Sequence, residues 1–255
     1  SPQGTVLSPV LFTLYTNDSN GSDISPLVKY SDDTALVDIS NFDSTTYFEE
    51  VSRFTAWCRE NSLDLNVKKT KEMLIDFRRK PTVVPDLIID GMKVERVNEY
   101  KYLGTILDNK LNFDSNTVAI HKKCQSRLYC LQKLRSLSVS QSVLCTFYRC
   151  FIEPVLTFGF ISWYGGLSVR NKNVLDRVVK VCGKVTGERQ KSMSELYECR
   201  VARKARVIAR DTTHILAKYY ESLPSGRRFR VPKFSTARTR NSFVPKSIEL
   251  LNKHK

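Results

Sequence analysis

Apolar residues follow two periods along this chain, and the change from one to the other predicts its architecture. In the first part the runs are short and strand-like. Leu27-Val28 and Ala35-Leu36-Val37 flank Tyr30-Ser31-Asp32-Asp33; valine and leucine suit strands, and an Asp pair tolerates and closes a tight turn, so a β-hairpin is predicted. Leu87 to Ile89 and Lys93 to Val97 surround Asp90-Gly91, the signature of a two-residue hairpin turn. Met73, Leu74, Ile75 and Phe77 predict a buried strand, and Tyr102 to Leu107 a strand continuing the sheet.

Helical spacing accompanies these strands. Ser8 is placed to cap a helix, with Pro9 in its first turn and Val10, Leu11, Leu14 and Tyr15 following, which would back the Asp hairpin. Between Asp43 and Asn61, Tyr47, Val51, Phe54 and Cys58 form an apolar face that should cover the sheet, with Trp57 in the core. Beyond Asn112 the pattern is helical throughout. Ile120, Cys124, Leu128, Leu131 and Leu134 mark one helix; a second opens at Ser140 with Val143, Leu144, Phe147 and Phe151 inward; a third runs over Leu175, Val178, Val179 and Cys182. A long helix is expected from Leu196 through Tyr219, carrying Arg200, Arg203, Lys204, Arg206 and Arg210. The expected class is α+β: an antiparallel sheet with packed helices over residues 1–110, a helical region over 111–187 and a basic helical tail over 188–255, with a boundary near 108 to 118.

Charge adds a partner to this picture. The 255 residues carry a formal net charge of +15, of which residues 188–255, with 17 Lys/Arg against 6 Asp/Glu, supply +11 and the rest +4. A polyanion fits this excess, and so does a solvated basic tail. Seven cysteines, an odd number without a C-x2-C pair, argue against a disulfide framework or zinc ribbon and fit a reducing, intracellular compartment. His121 and Cys124 lie three apart, yet no second ligand pair follows; His121, His214 and His254 read as surface or partly buried residues. No signal peptide or membrane span is expected, since the apolar run from Phe147 to Ile161 is short and broken by Arg149, Glu153 and Pro154.

The candidate chemistry lies at the Asp hairpin. Two acids at a turn tip must face water, a cation or a phosphate, because burying an unpartnered carboxylate costs several kcal/mol, roughly, or forces protonation. A solvated surface turn has the same residues. Near the C-terminus, Leu223-Pro224-Ser225-Gly226-Arg227-Arg228-Phe229-Arg230 combines a turn, guanidinium groups for phosphates and an aromatic on which a base could stack.

The motifs ahead of and behind the hairpin make a resemblance specific. Gln3-Gly4, Leu7-Ser8-Pro9 and Leu11-Phe12, then Tyr30-Ser31-Asp32-Asp33, then Trp57, Asn61, Leu65-Asn66 and Lys69-Thr70, then Tyr100-Lys101-Tyr102-Leu103-Gly104-Thr105 occur in the order found in reverse transcriptases of non-LTR (LINE-type) retrotransposons, over roughly the first 110 residues. The resemblance implies a polymerase palm followed by a helical thumb, and an RNA-directed DNA polymerase acting on an RNA template and DNA primer. The two Mg²⁺ ions of such sites stabilise attacking and leaving oxygens. It implies Asp32 as the main metal ligand and Asp33 beside it, with Ser31 where the family has alanine. Lys69 is implied near the triphosphate, Gln3 and Gly4 beside the templating base pair, and Tyr102, Leu103 and Gly104 at the primer. Lys122, Lys123 and Arg127 on the thumb, with Arg227 and Arg228, complete the implied nucleic-acid contacts. A solvated lysine cluster and a bulge glycine are the other readings of Lys69 and Gly104. In the family another essential Asp precedes the Gln-Gly motif, so a chain that starts at Ser1 is expected to be truncated, to lack an N-terminal palm and fingers region, and to be inactive alone.

Two other readings exist. Lys122-Lys123-Cys124-Gln125-Ser126-Arg127-Leu128, running to Phe158, also resembles the N-terminal module of AlkB-homologue proteins of alkylated DNA or tRNA repair, which carry oxidoreductase or methyltransferase labels. A dioxygenase iron site needs two histidines and a carboxylate. None of the three histidines has Asp two residues on, and no glycine-rich nucleotide loop is present, so the resemblance implies a shared helical segment without that chemistry. The last reading is a non-catalytic basic protein that binds nucleic acid.

Overall fold

The computed structural model describes residues 5, 7–19, 21–22, 25–39, 44–80 and 83–253, and is a mixture of helices and small sheets, hence α+β. Gln3, Gly4 and His254 lie outside the described residues. Two compact units divide between Tyr100 and Lys101, ahead of the change of period at residues 108 to 118.

In the first unit, α1 (Leu7–Tyr15) buries none of its residues. Ser8 lies inside the helix rather than capping it, its hydroxyl 2.8 Å from that of Thr5. The helix does not pack an apolar face behind the Asp hairpin as expected. Instead Lys29 of β1 reaches the chain after the helix, donating to the carbonyls of Thr16 and, at 2.7 Å, Ser19. β1 (Leu27–Tyr30) and β2 (Asp33–Leu36) pair antiparallel, Leu27 opposite Leu36 and Tyr30 opposite Asp33, leaving Ser31 and Asp32 as the turn.

α2 (Ser44–Glu60) presents the expected face. Val51 and Cys58 are buried and Tyr47 and Phe54 half-buried. Trp57 is only half-buried, because it lies over Phe54, with ring centroids 6.2 Å apart, at the margin of that face. The unit's small core gathers Val51, Val67, Leu87, Ile89 and Val94.

β3 (Lys71–Glu72) is shorter than expected, and Met73 to Phe77 form no strand. Its parallel partner is β6 (Glu95–Arg96), and the last ladder bond runs from Val97 N–H to the Glu72 carbonyl at 2.8 Å. With no further pairing, Ile75 and Phe77 remain exposed, and the buried Asp76 accepts two bonds of 3.0 Å from the Arg78 guanidinium. Between these strands, β4 (Ile88–Ile89) and β5 (Met92–Lys93) form the Asp-Gly hairpin, with φ of 52° at Asp90 and 73° at Gly91 as its turn requires.

A polar clamp holds the unit. Arg96 bonds the buried Glu72 carboxylate at 2.7 Å, and its other nitrogens donate to the carbonyls of Val84 at 3.0 Å and Pro85 at 2.6 Å. Burial, with the nearby Glu72 charge, pushes the Tyr47 hydroxyl far above its usual pKa, so it stays protonated.

At the junction of the units, β7 (Glu99–Tyr102) and β8 (Thr105–Asp108) form a third tight hairpin. The single strand expected from Tyr102 to Leu107 is interrupted because Leu103 and Gly104 take φ of 44° and 87° and turn the chain.

The helical unit starts with α3 (Asp114–Ser136), which buries Ile120, Cys124, Leu128 and Leu131 as its spacing predicts. α4 (Gln141–Phe147) then runs into a π-helical turn, Tyr148–Ile152, and α5 (Glu153–Leu156). Pro154 has no N–H for the α-helical bond to Cys150, and the Glu153 N–H bonds the Tyr148 carbonyl five residues back. The widened turn shifts the register, so Leu144, Cys145, Tyr148 and Ile152 face inward while the expected Val143 and Phe151 are exposed.

α6 (Phe160–Trp163), α7 (Val169–Thr186) and α8 (Met193–Arg210) complete the core, in which Leu175, Val178, Val179 and Cys182 are buried as expected. Residues 188–255, expected as a tail, contribute Met193, Tyr197, Val201 and Leu250 to this same core. α8 ends at Arg210, short of Tyr219. The Asp211 carboxylate accepts the Thr213 N–H at 3.0 Å and its hydroxyl at 2.6 Å, drawing the backbone out of the helix. Short α9 (Ala237–Arg240) and α10 (Phe243–Lys253) follow, the latter packing Ile248 and Leu251 with Ile208 and Tyr220.

Replacing Arg96 by Ala leaves the Glu72 carboxylate buried without its partner, so denaturant unfolding of the first unit should show a loss of about 3–5 kcal/mol. α8 opens with a capping box, Glu195 N–H to Ser192 Oγ at 3.2 Å and Ser192 N–H to Glu195 Oε2 at 2.6 Å. Ser192→Ala should therefore destabilise the helical unit by about 1 kcal/mol in the same measurement.

Candidate nucleic-acid and metal site

At the tip of the β1–β2 hairpin the Ser31 backbone takes φ of 54°, an unusual conformation for a residue with a side chain. It turns the chain within two residues and leaves both Asp32 and Asp33 exposed to solvent. Their carboxylate oxygens are the hard donors that suit Mg²⁺, a cation that keeps several waters and takes one or two protein carboxylates. Among the described residues no group of three or more His, Cys, Asp or Glu could hold a metal ion, and Asp32 and Asp33 stand here as two neighbouring exposed carboxylates.

Lys69 is exposed in the turn before β3. Asn66 shapes that turn, its side-chain oxygen accepting the Lys69 N–H at 3.1 Å and its carbonyl the Thr70 hydroxyl at 2.9 Å. The lysine ammonium makes no bond within this turn, which leaves it facing solvent beside the polar loop.

In the helical unit the remaining candidates occupy separate elements. Tyr102 is half-buried, and Leu103 and Gly104 are exposed at the hairpin tip. The space a Cβ would take at Gly104 is filled by the Phe158 ring, whose nearest carbon is 3.0 Å away. The need for glycine is thus met inside the protein. Lys122 and Lys123 are exposed on α3, whereas Arg127 is half-buried and donates to the Phe151 carbonyl. On α8, Arg203, Lys204, Arg206 and Arg210 are exposed, while Arg200 pairs with Glu153 at 3.2 Å and lies over the Phe160 ring.

Arg227 and Arg228 are exposed on a turn built around Gly226 and closed by the Leu223 N–H to Arg228 carbonyl bond of 2.7 Å. Phe229 is not the free stacking platform expected of it. Its ring packs edge-on against Tyr220 with centroids 5.9 Å apart, and its backbone is bonded at both N–H and carbonyl by Asn252.

Two of the buried thiols are held in their neutral form. Burial pushes Cys124 up to about 11 and Cys182 up to about 12, which keeps both as neutral core groups. His121 is engaged with Gln125 at 3.0 Å. Among the described residues no single helix is long and apolar enough to cross a membrane.

The sequence reading did not identify Phe158 or Asn116. Asn116 is buried and accepts the Ile106 N–H at 3.1 Å, tying β8 to α3. A lone Asn in the first turn of an amphipathic helix carries no signal of that role.

Residues 1–107 match the family described as reverse transcriptase (RNA-dependent DNA polymerase), and residues 113–154 match the N-terminal family of alkylated DNA repair protein alkB homolog 8. The probable RNA-directed DNA polymerase from transposon X-element of Drosophila melanogaster is 27% identical over 73% of this chain and 21% of its own length. The RNA-directed DNA polymerase from mobile element jockey of Drosophila funebris is 27% identical over 88% of this chain and 25% of its own. The corresponding probable polymerase from transposon BS of Drosophila melanogaster is 26% identical over 64% and 19%. The chain thus spans between about a fifth and a quarter of the length of these curated relatives. No solved structure matches it. The stretch that matches the reverse transcriptase family, residues 1–107, thus contains the hairpin of Asp32 and Asp33, and the chain is similar to the RNA-directed DNA polymerases of non-LTR transposons.

Proposed function

We propose that this chain is the part of an RNA-directed DNA polymerase that carries the paired metal-binding aspartates and the helical surface for the primer and template. The observation that carries this reading is the β1–β2 hairpin, which exposes Asp32 in its two-residue turn and Asp33 at the start of β2. Asp32 would be the principal ligand of a Mg²⁺ ion with Asp33 beside it, and the ion would supply charge stabilisation to the oxygens of phosphoryl transfer. Lys69 offsets negative charge on the departing pyrophosphate, as a mobile ammonium on a solvated turn can.

The first unit, with its Asp hairpin, is read as palm, and the helices from α3 onward as thumb. Lys122 and Lys123 neutralise backbone phosphates of a primer–template duplex; Arg127 contributes with the guanidinium donors not committed to Phe151. The Tyr102-Leu103-Gly104 tip meets the primer, Gln3-Gly4 the templating pair, and Arg227 and Arg228 a more distant phosphate. The setting proposed is a reducing, intracellular compartment, a reading that rests on the odd number of cysteines without a C-x2-C pair. The match to the alkB-homologue family covers α3, α4, the π turn and the start of α5, and supplies no second histidine for an iron site, so it adds a helical likeness and no dioxygenase reading.

Manganese serves as a probe of the metal site. Added to the 255-residue chain it should broaden the amide signals of Tyr30 to Thr34, and Asp32→Asn with Asp33→Asn should remove the effect. In a jockey-type polymerase whose matching segment is replaced by this chain, Asp32→Asn should lower RNA-templated synthesis by on the order of 10³-fold. Thermal unfolding should not change, and undiminished synthesis would refute the assignment.

Duplex binding should be electrostatic. Contact with about six phosphates gives a slope of about −5 for log affinity against log salt. Lys122→Ala with Lys123→Ala should reduce the slope by about two, and salt-independent binding would exclude the phosphate role.

A further inference from the structure

Phe158 is a large aromatic residue 56% exposed to solvent, two residues beyond the end of α5, whose last residue, Leu156, is fully buried. Its backbone is nevertheless closely held. The carbonyl accepts the indole N–H of the fully buried Trp163 at 3.1 Å, and the next residue, Gly159, adopts φ of 59°. Those constraints aim the ring at the β7–β8 hairpin. A Cβ placed on Gly104 would lie 3.0 Å from Cε1 and 3.3 Å from Cζ of that ring, and one placed on Gly159 would lie 3.5 Å from the Thr105 hydroxyl. Two consecutive residues of each segment therefore face each other, with glycine in both.

Other bonds hold β8. Asn116 holds the Ile106 N–H at 3.1 Å, and the Asp108 carboxylate, at the far end of β8, accepts the N–H groups of Lys110 at 3.0 Å, Asn112 at 3.1 Å and Phe113 at 2.6 Å. Those bonds anchor β8 from Ile106 to its far end, and the Phe158 ring meets the tip at Gly104. Burial alone does not account for an aromatic with more than half its surface in water, whereas contact with a glycine at the turn does.

We infer that Phe158 is a positioning residue: its ring sets the orientation of the Leu103-Gly104 tip, and through it the affinity for a primer 3′ end. The inference rests on the reading of that tip as the primer contact given above. It assigns Phe158 no contact with the reacting atoms. Gly104 would then be required for two reasons, its φ of 87° and the ring stacked over it.

The experiment separates the positioning from the primer assignment. In the full chain, Phe158→Ala should accelerate amide hydrogen exchange at Thr105 and Ile106 by about tenfold, with exchange in α7 and α8 unchanged, and Phe158→Tyr should restore the wild-type rate. Because the ring is half in solvent, the variant is expected to fold, and the α7 and α8 amides report it. Affinity for an RNA–DNA duplex with a recessed primer end should fall several-fold in Phe158→Ala and recover in Phe158→Tyr, while affinity for a blunt duplex stays constant. Exchange unchanged by Phe158→Ala overturns the positioning role, as does faster exchange with undiminished recessed-end affinity. A wild-type chain that binds no duplex at all overturns the polymerase reading instead, and the exchange data then stand apart from it. Gly104→Ala supplies a second arm: in the Phe158→Ala background its cost in thermal stability should shrink to the backbone-strain part, and an undiminished cost would also overturn the contact.

Discussion

Reversal of the chain within two residues is the constraint on which the candidate chemistry depends. Such turns need backbone at positive φ, where a Cβ crowds the carbonyl at a cost of roughly 1–2 kcal/mol for an ordinary residue. Asp90-Gly91 and Leu103-Gly104 share that cost with a glycine, whereas Ser31 meets it with a side chain in place. The turn at Ser31 keeps both carboxylates clear of the sheet and of each other's burial. A longer loop would leave Asp32 and Asp33 free to separate. Charge repulsion between neighbouring acids favours that separation unless a cation lies between them.

Different forces hold the two units. In the first, five buried apolar residues, at roughly 1.5–3 kcal/mol each, make a modest core. Arg96 compensates by joining β3, β6 and the segment at Val84 and Pro85 through one guanidinium. Its planar fork suits a carboxylate and carbonyls at once, which lysine cannot reproduce. The helical unit relies on shape. Trp163, Tyr148, Phe160 and their neighbours are almost completely buried, and the π turn ahead of Pro154 lets that aromatic set face one way. Residues of α8 and α10 are built into this core, so the basic surface they carry rides on a rigid frame.

That arrangement relates charge to recognition. Basic side chains on α3 and α8 remain exposed because their helices bury the opposite face, and a polyanion can approach without displacing any packed group. Arg200 and Arg96 are exceptions, each committed to a partner within its own unit. Net charge alone would have counted both toward nucleic acid.

Local pattern determined a good deal of this protein. Asp90-Gly91 specifies its turn by backbone preference, the four-three-four spacing of Tyr47, Val51, Phe54 and Cys58 specifies one helix face, and Ile120 through Leu131 specifies another, because each depends on residues within a turn or two of chain. The ordered motifs from Tyr30 to Thr105 carried the family for a similar reason, since they are contiguous in sequence. Tertiary structure decided the rest. Phe151 faces solvent because Pro154 widens the preceding turn; α8 stops at Arg210 because Asp211 captures the Thr213 amide; Met73 to Phe77 stay out of a sheet because no partner extends past Arg96. Phe229 was lost as a stacking surface to Tyr220, and Gly104 was matched to Phe158, more than fifty residues away. Contacts at that separation leave no period in the sequence, since the physical complement of each residue lies on another element that only folding brings near.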